Sequence, residues 1–191
     1  MSAVFVITGP SGVGKGTLIR ALLERVPELE LSVSATTRRP RPGETQGADY
    51  HFLSDAEFDR LVREGGFVEW AEYSGRKYGT LRSELEDRVR AGRPVVLEIE
   101  VQGARQVRET VPEAVQVFIA PPSPETLQLR LVGRGTDSHD EIERRLAVAR
   151  HELAAQDEFG YVVVNDRLED AVERLEAIVR ESIGRPLSSG R

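Results

Sequence analysis

Cysteine is absent from the 191 residues, so disulfides, thiol nucleophiles and zinc–thiolate sites are excluded. Histidine is nearly as scarce. His51, His139 and His151 never fall three or four positions apart, which argues against a histidine-rich metal site. Long apolar runs are missing too: Val4 to Ile7 and Phe118 to Ala120, among the longest, fall far short of the roughly 20 residues that span a bilayer. Met1-Ser2-Ala3 carries neither the basic segment nor the apolar stretch of a signal peptide. A soluble protein of the cytoplasm that engages no membrane is expected. An excess of positive charge is also lacking, with 26 basic against 32 acidic residues and a net charge of −6. That balance argues against sequence-independent binding to nucleic acid. Within the basic set lysine is rare, since Lys15 and Lys77 stand among arginines.

What is present suits one domain with one filled core: 39% of the residues are hydrophobic. Apolar runs at Ala3 to Thr8, Leu29 to Ser34, Pro94 to Glu98, Val115 to Ala120 and Tyr161 to Val164 read as strands. Each is apolar throughout rather than alternating, as in a parallel sheet covered on both faces. Helical patterns separate them at Gly16 to Arg25, Leu81 to Ala91, Gly103 to Thr110, Pro124 to Val132 and Leu168 to Ile183. Strand and helix taking turns predicts a doubly wound α/β fold. Two stretches break the rhythm. Thr36 to Thr80 is rich in Arg, Pro, Gly and aromatics and predicts only a short helix behind a capping box, Ser54 to Glu57, with a strand-like Phe67 to Tyr73. Gly133 to Gln156 predicts a long Arg-studded helix behind a second capping box, Ser138 to Glu141. Inserts of this kind belong at the carboxyl edge of a parallel sheet, where ligands bind.

Gly9-Pro10-Ser11-Gly12-Val13-Gly14-Lys15-Gly16-Thr17 follows the first strand and opens the first helix. This is the phosphate-binding loop pattern in its expected context. Its glycines let successive N–H groups turn inward as an anion nest at a helix N-terminus, and Lys15 adds a compact charge for the β- and γ-phosphates. Gly16 stands where a hydroxyl is expected, with Thr17 one step later. Magnesium is then expected to be held by water, nucleotide oxygens and acidic side chains, with Thr17 and Glu100 as water-mediated contacts. Val95 to Glu100 supports this, because its apolar run ends in Glu98 and Glu100 at the sheet edge. Ser34 to Glu44 holds Arg38, Arg39 and Arg41 in a proline-stiffened loop, suited to bidentate contact with a phosphate monoester.

These segments resemble guanylate kinase from near Val4 to Ile183. The matching stretches are Gly9 to Gly12, Ser34 to Gly43, Gly47 to Phe52, Phe67 to Glu72, Tyr78-Gly79-Thr80, Glu98 to Gly103 and Arg130 to Thr136, in order. The resemblance implies a P-loop NTPase-type fold with core segments 1–33, 81–123 and 157–184. It adds a nucleoside-monophosphate-binding insert at 34–80, a helical lid at 124–156 and a tail at 185–191. It implies ATP-dependent phosphorylation of GMP or dGMP with Mg²⁺. Arg38, Arg41, Tyr50 and Tyr78 would hold the GMP phosphate, Ser34 and Thr80 would meet guanine O6, and Glu69 and Glu98 would accept its donors. Glu98 and Glu100 each replace the family's more usual aspartate, one methylene shorter. Arg134 and Arg145 resemble lid arginines that swing over the ATP phosphates, with Lys15 and Arg38 completing the catalytic charges; Arg130 is a weaker match. Asn165 matches a segment near the adenine.

The chemistry is coherent in itself. A carboxylate accepts the N1–H and amino donors of guanine, whereas adenine offers an acceptor at N1 and leaves that carboxylate unpaired. Two rivals stay open at this stage. Gly-Lys-Gly-Thr is adenylate-kinase-like, so another monophosphate is conceivable as acceptor. Kinase-like modules of scaffold proteins share the pattern but have degraded phosphate loops, whereas Lys15 is intact. Oligomeric state, monomer or homo-oligomer, is left open.

Overall fold

The computed structural model describes residues 4–73, 75–132 and 139–184. Strand β1 (Val4–Thr8) is wholly buried and leads through the glycine-rich loop into helix α1 (Lys15–Arg25). Strands β2 (Glu30–Leu31), β3 (Ala35–Thr36) and β4 (His51–Phe52) are two residues each. Helix α2 (Asp55–Arg63) precedes the hairpin β5 (Phe67–Tyr73) and β6 (Arg76–Leu81). Then α3 (Arg82–Arg90), β7 (Val95–Glu98), α4 (Val101–Thr110) and β8 (Val115–Ala120) alternate. Helices α5 (Pro124–Val132) and α6 (His139–Ala154), strand β9 (Tyr161–Val164) and helix α7 (Leu168–Gly184) complete the order.

The main sheet has the order β2-β7-β1-β8-β9 and every pairing in it is parallel. Alternation along β1 explains why both faces must be covered. Phe5 and Ile7 join α1 and α7 in one apolar layer, with Leu18, Leu22, Leu175 and Ile178. Val4 and Val6 face the other way and meet Ala104 and Val107 of α4. The doubly wound α/β arrangement read from the apolar runs is the observed one. Among the described residues no helix is long and apolar enough to cross a membrane.

Three expectations change. The run Leu29 to Ser34 is not one strand. Ser32 N–H still bonds to Val96 O at 3.0 Å, but the next amide, Val33 N–H, donates to the Glu84 carboxylate at 2.7 Å, so the chain leaves the sheet edge there. The Arg/Pro-rich stretch holds more than one helix: β3 to β6 form a second sheet in the order β4-β3-β6-β5. Strand β9 is an edge, and Val162 and Val164 are 43% and 51% exposed despite its apolar sequence. The predicted capping box at Ser54 and Glu57 is formed in both directions, contributing about 1 kcal/mol to α2. That helix buries Phe58 against Phe67, ring centroids 4.3 Å apart, and so seals the back of the second sheet. Ser138, on which the second predicted capping box depends, lies outside the described residues.

Candidate functional site

The glycine-rich loop is built as a cradle. Gly14 caps α1 in the left-handed region, φ 100°, and a Cβ there would stand 2.7 Å from Asn165 Nδ2. Only glycine meets both conditions. Asn165 braces the loop from behind, its amide donating to Val13 O at 2.8 Å, while Arg130 bridges Val13 O and Asn165 O at 3.3 and 3.0 Å. Arg130 is thereby a strut under the loop. Lys15 is 9% exposed and lies across the loop, donating to Gly9 O at 2.5 Å with Pro10 O at 3.4 Å. Its charge therefore sits at the loop beside the N-terminus of α1, where an anion is favoured.

Beside the loop, between the two sheets, lies a cavity of about 320 Å³. It brings together six residues singled out from the sequence: Ser34, Tyr50, Glu69, Tyr78, Glu98 and Glu100. Glu69 is 4% exposed, and a local irregularity in the hairpin aims it. Register slips between Phe67 and Glu69, so Phe67 opposes Leu81 and Glu69 opposes Thr80. Such a bulge re-aims a side chain next to a site. Buried Thr80 then donates its hydroxyl to Glu69 Oε1 at 2.8 Å. Burial pushes the Glu69 carboxyl up to about 6, against the bonds from Thr80. It remains an acceptor at neutral pH, though at a cost.

Arg38 and Arg41 are not among the residues that line the cavity, and Arg38 alone adjoins one of them, Tyr50. Arg38 is gripped by both oxygens of Glu44 at 2.8 and 2.9 Å and lies 5.2 Å from the ring centroid of Tyr50. Arg41 is exposed, and its backbone N–H donates to Glu44 at 2.7 Å. Glu44 thus organises the arginine loop. Its hydrogen bond from Arg38, above all, holds its carboxyl below the usual range. Tyr50 and Tyr78 meet edge-on with centroids 6.3 Å apart, and burial raises the Tyr50 phenol, keeping it a donor. Nothing in the sequence distinguished Glu44 from other surface carboxylates.

Where the loop meets the cavity, three carboxylates converge. Glu98 ends β7 with its side chain exposed to the cleft; partial loss of solvent there raises its carboxyl against the opposing pull of Lys15, with Glu100 adding to the rise. Glu100 lies 3.9 Å from Lys15 Nζ. The third, Glu152 of α6, was not read from the sequence. It is buried against the loop, accepts from Ser11 N–H, and is pushed up by burial and by the neighbouring Glu100. The same helix sends Arg145 to Ser11 Oγ at 3.0 Å. Arg145 and Glu152 are seven positions apart, two turns on one helix face. A gap of about 110 Å³ is lined here by Ser11, Tyr73, Glu100, Arg145 and Glu152. Arg134 lies outside the described residues.

Hard oxygen donors suit Mg²⁺, which keeps several waters and takes one or two carboxylates besides nucleotide oxygens. The donor set fits that habit. Among the described residues no three of these side chains stand close enough together to hold a metal ion by themselves. A Cβ on Gly16 would stand 3.8 Å from both oxygens of the Glu98 carboxylate, in ordinary van der Waals contact with it. Thr17 is exposed beside it.

Comparison with known proteins agrees with this geometry. A family model described as Guanylate kinase matches residues 1–182. A guanylate kinase of Parasynechococcus marenigrum is 57% identical over 179 residues, covering 94% of this chain and 98% of its own. One from Rubrobacter xylanophilus is 54% identical over 180 residues, 94% of each chain. The crystal structure of guanylate kinase from Anaplasma phagocytophilum superposes with a TM-score of 0.77 at 35% identity, covering 96% of this chain and 87% of that one. With a braced phosphate nest, a carboxylate-floored cavity beside it and relatives matched over nearly their whole length, the chain belongs to the guanylate kinase family.

Proposed function

We propose that the protein phosphorylates GMP, and dGMP, to the diphosphate by direct in-line transfer from ATP, in the cytoplasm. The observation that carries this reading is the buried Glu69–Thr80 pair flooring a cavity that opens beside the Lys15 loop. Glu69 accepts the N1–H and amino donors of guanine, with Ser34 turned to O6 and Glu98 as second acceptor; Thr80, whose one hydroxyl proton goes to Glu69, would meet O6 only by releasing that bond. Adenine would leave the Glu69 carboxylate unpaired in its buried site, a penalty of several kcal/mol. Arg38, Arg41, Tyr50 and Tyr78 hold the acceptor phosphate. Glu44 pre-orders Arg38, so less freedom is lost when phosphate replaces or joins it.

On the donor side, residues 9–17 cradle the triphosphate through backbone N–H groups, and Lys15 neutralises its terminal phosphates. The attacking oxygen of GMP is already anionic, so the protein supplies alignment, dryness and charge rather than a base. Glu98, Glu100 and Thr17 would hold Mg²⁺ through water, and the ion would supply positive charge against the charge of the transferred phosphoryl group. Helices α5 and α6 act as the lid over this site. Arg145 reaches the phosphates from α6, joined on the resemblance by Arg134. Asn165 serves the adenine side through the loop it braces.

Measured ADP release with ATP and Mg²⁺ across GMP, dGMP, AMP, CMP and UMP tests the reading. GMP should exceed AMP by roughly a thousandfold in kcat/KM. Lys15→Met should cost on the order of 10³-fold in kcat while sparing GMP binding. Equal use of all bases, or near-normal turnover in Lys15→Met, would sink the assignment.

A further inference from the structure

Position 103 lies in the first turn of α4, where helix propensity alone favours almost any residue over glycine. What the glycine faces accounts for it. A Cβ on Gly103 would stand 2.5 Å from Glu69 Oε2, 3.2 Å from its Cδ and 3.5 Å from its Cγ. Neither side can retreat. Glu69 is buried and its other oxygen is held by the Thr80 hydroxyl. Helix α4 is stapled along β5: the Gln106 amide accepts from Trp70 N–H at 3.1 Å and donates to Trp70 O at 2.7 Å, and Thr110 Oγ1 donates to Val68 O at 3.0 Å. Close packing of this kind transmits a misplaced methyl group rather than absorbing it.

From these contacts we infer that Gly103 is the positioning residue for base recognition: its missing side chain is the space in which the Glu69 carboxylate is held at the cavity. The inference rests on Glu69 being the acceptor of the guanine donors. A methyl group at 103 pushes the carboxylate off Thr80 or forward into the volume of the base. The phosphate loop lies on the other side of Glu98 and Glu100 and is left as it was.

Steady-state kinetics test this. Gly103→Ala should lower kcat/KM for GMP by about 10²-fold, mainly through KM, with the KM for ATP changed less than about threefold. Glu69→Asp withdraws the carboxylate by one methylene. Combined with Gly103→Ala it removes the collision, so the double variant should lose no more GMP activity than Glu69→Asp alone, a non-additive result. Losses that multiply, equal losses toward GMP and ATP, or an unchanged KM for GMP in Gly103→Ala would each overturn the inference. Should Gly103→Ala fail to fold, thermal melts decide: a cooperative transition restored by adding Glu69→Asp supports the collision, and no restoration overturns it. Wild-type protein assayed alongside separates the levels. An inactive wild type removes the functional reading and this inference together, whereas an active wild type with the wrong variant pattern removes the inference alone.

Discussion

Glu69 is expensive to keep. A carboxyl raised from 4.5 to about 6 by burial binds its proton more tightly folded than unfolded. Below about pH 4.5 both states are protonated and nothing is lost; above about pH 6 both are ionised and the folded state bears the full desolvation cost. Stability from this group therefore falls as pH rises through that window, by about 2 kcal/mol in all. Glu69→Gln should recover up to that amount in urea unfolding at pH 7.5 and show no gain at pH 4. It should also lower kcat/KM for GMP by about 10²- to 10³-fold while sparing the KM for ATP. In the wild type, kcat/KM for GMP should drop as pH falls through about 6, because a protonated Glu69 cannot accept both guanine donors. A Glu69→Gln variant with the same pH profile as wild type, or one less stable at pH 7.5, would show that the carboxylate is structural rather than recognitive.

Among the elements, α3 links the two sheets through one side chain. Glu84 accepts Val33 N–H at 2.7 Å, pairs with His51 Nε2 at 2.5 Å and with Arg88 at 3.0 Å. Burial works against its ionisation, but the Val33 amide, His51 and Arg88 together hold its carboxyl below the usual range. Its contribution is accordingly complete above about pH 4.5 and fades as pH falls further. Glu84→Gln should destabilise by about 1–2 kcal/mol, whereas Glu169→Gln, which breaks the exposed pair with Arg25, should cost less than about 0.5 kcal/mol. Equal costs in chemical denaturation would mean that α3 is no hub. This hub also marks where the sequence stopped being legible. Runs such as Val4 to Thr8, and the loop that follows, are written in contiguous residues and were readable. The end of β2 depends on Glu84, some fifty positions away from Val33, which no local pattern announces. Strands β3 and β4 are two residues long, and the slip that turns Glu69 inward exists only in the pairing with β6. Glu152 was opaque for the same reason: on a helix crowded with charges, only tertiary packing singles out the carboxylate that meets Ser11.

At the scale of the whole molecule, the second sheet hangs on narrow connections. The chain leaves the main sheet at Ser32–Ser34 and returns at Leu81–Arg82, and the cavity lies in the seam between the sheets. On the proposed assignment of Arg38 and Tyr50 to the acceptor phosphate and Lys15 to the donor, in-line transfer demands that the two phosphate sites be brought together with water excluded. The seam is where such motion is cheapest, because outside the clasp of α4 on β5 it is crossed by polar bonds such as the His51–Glu84 pair rather than by a continuous apolar core. Helix α6 of the proposed lid is tied to Ser11 by Arg145 in this structure, which leaves the second sheet as the other part free to close. A bisubstrate analogue joining adenosine and guanosine through a phosphate chain spans both sites and should draw them together. Small-angle scattering should then show the radius of gyration falling by on the order of 1 Å from roughly 16 Å. An adenine nucleotide alone, which leaves the seam empty, should produce little of this change. Equal compaction by both ligands would shift the motion to α6, and none with the analogue would mean that the two sites are held at their reacting distance before substrate arrives.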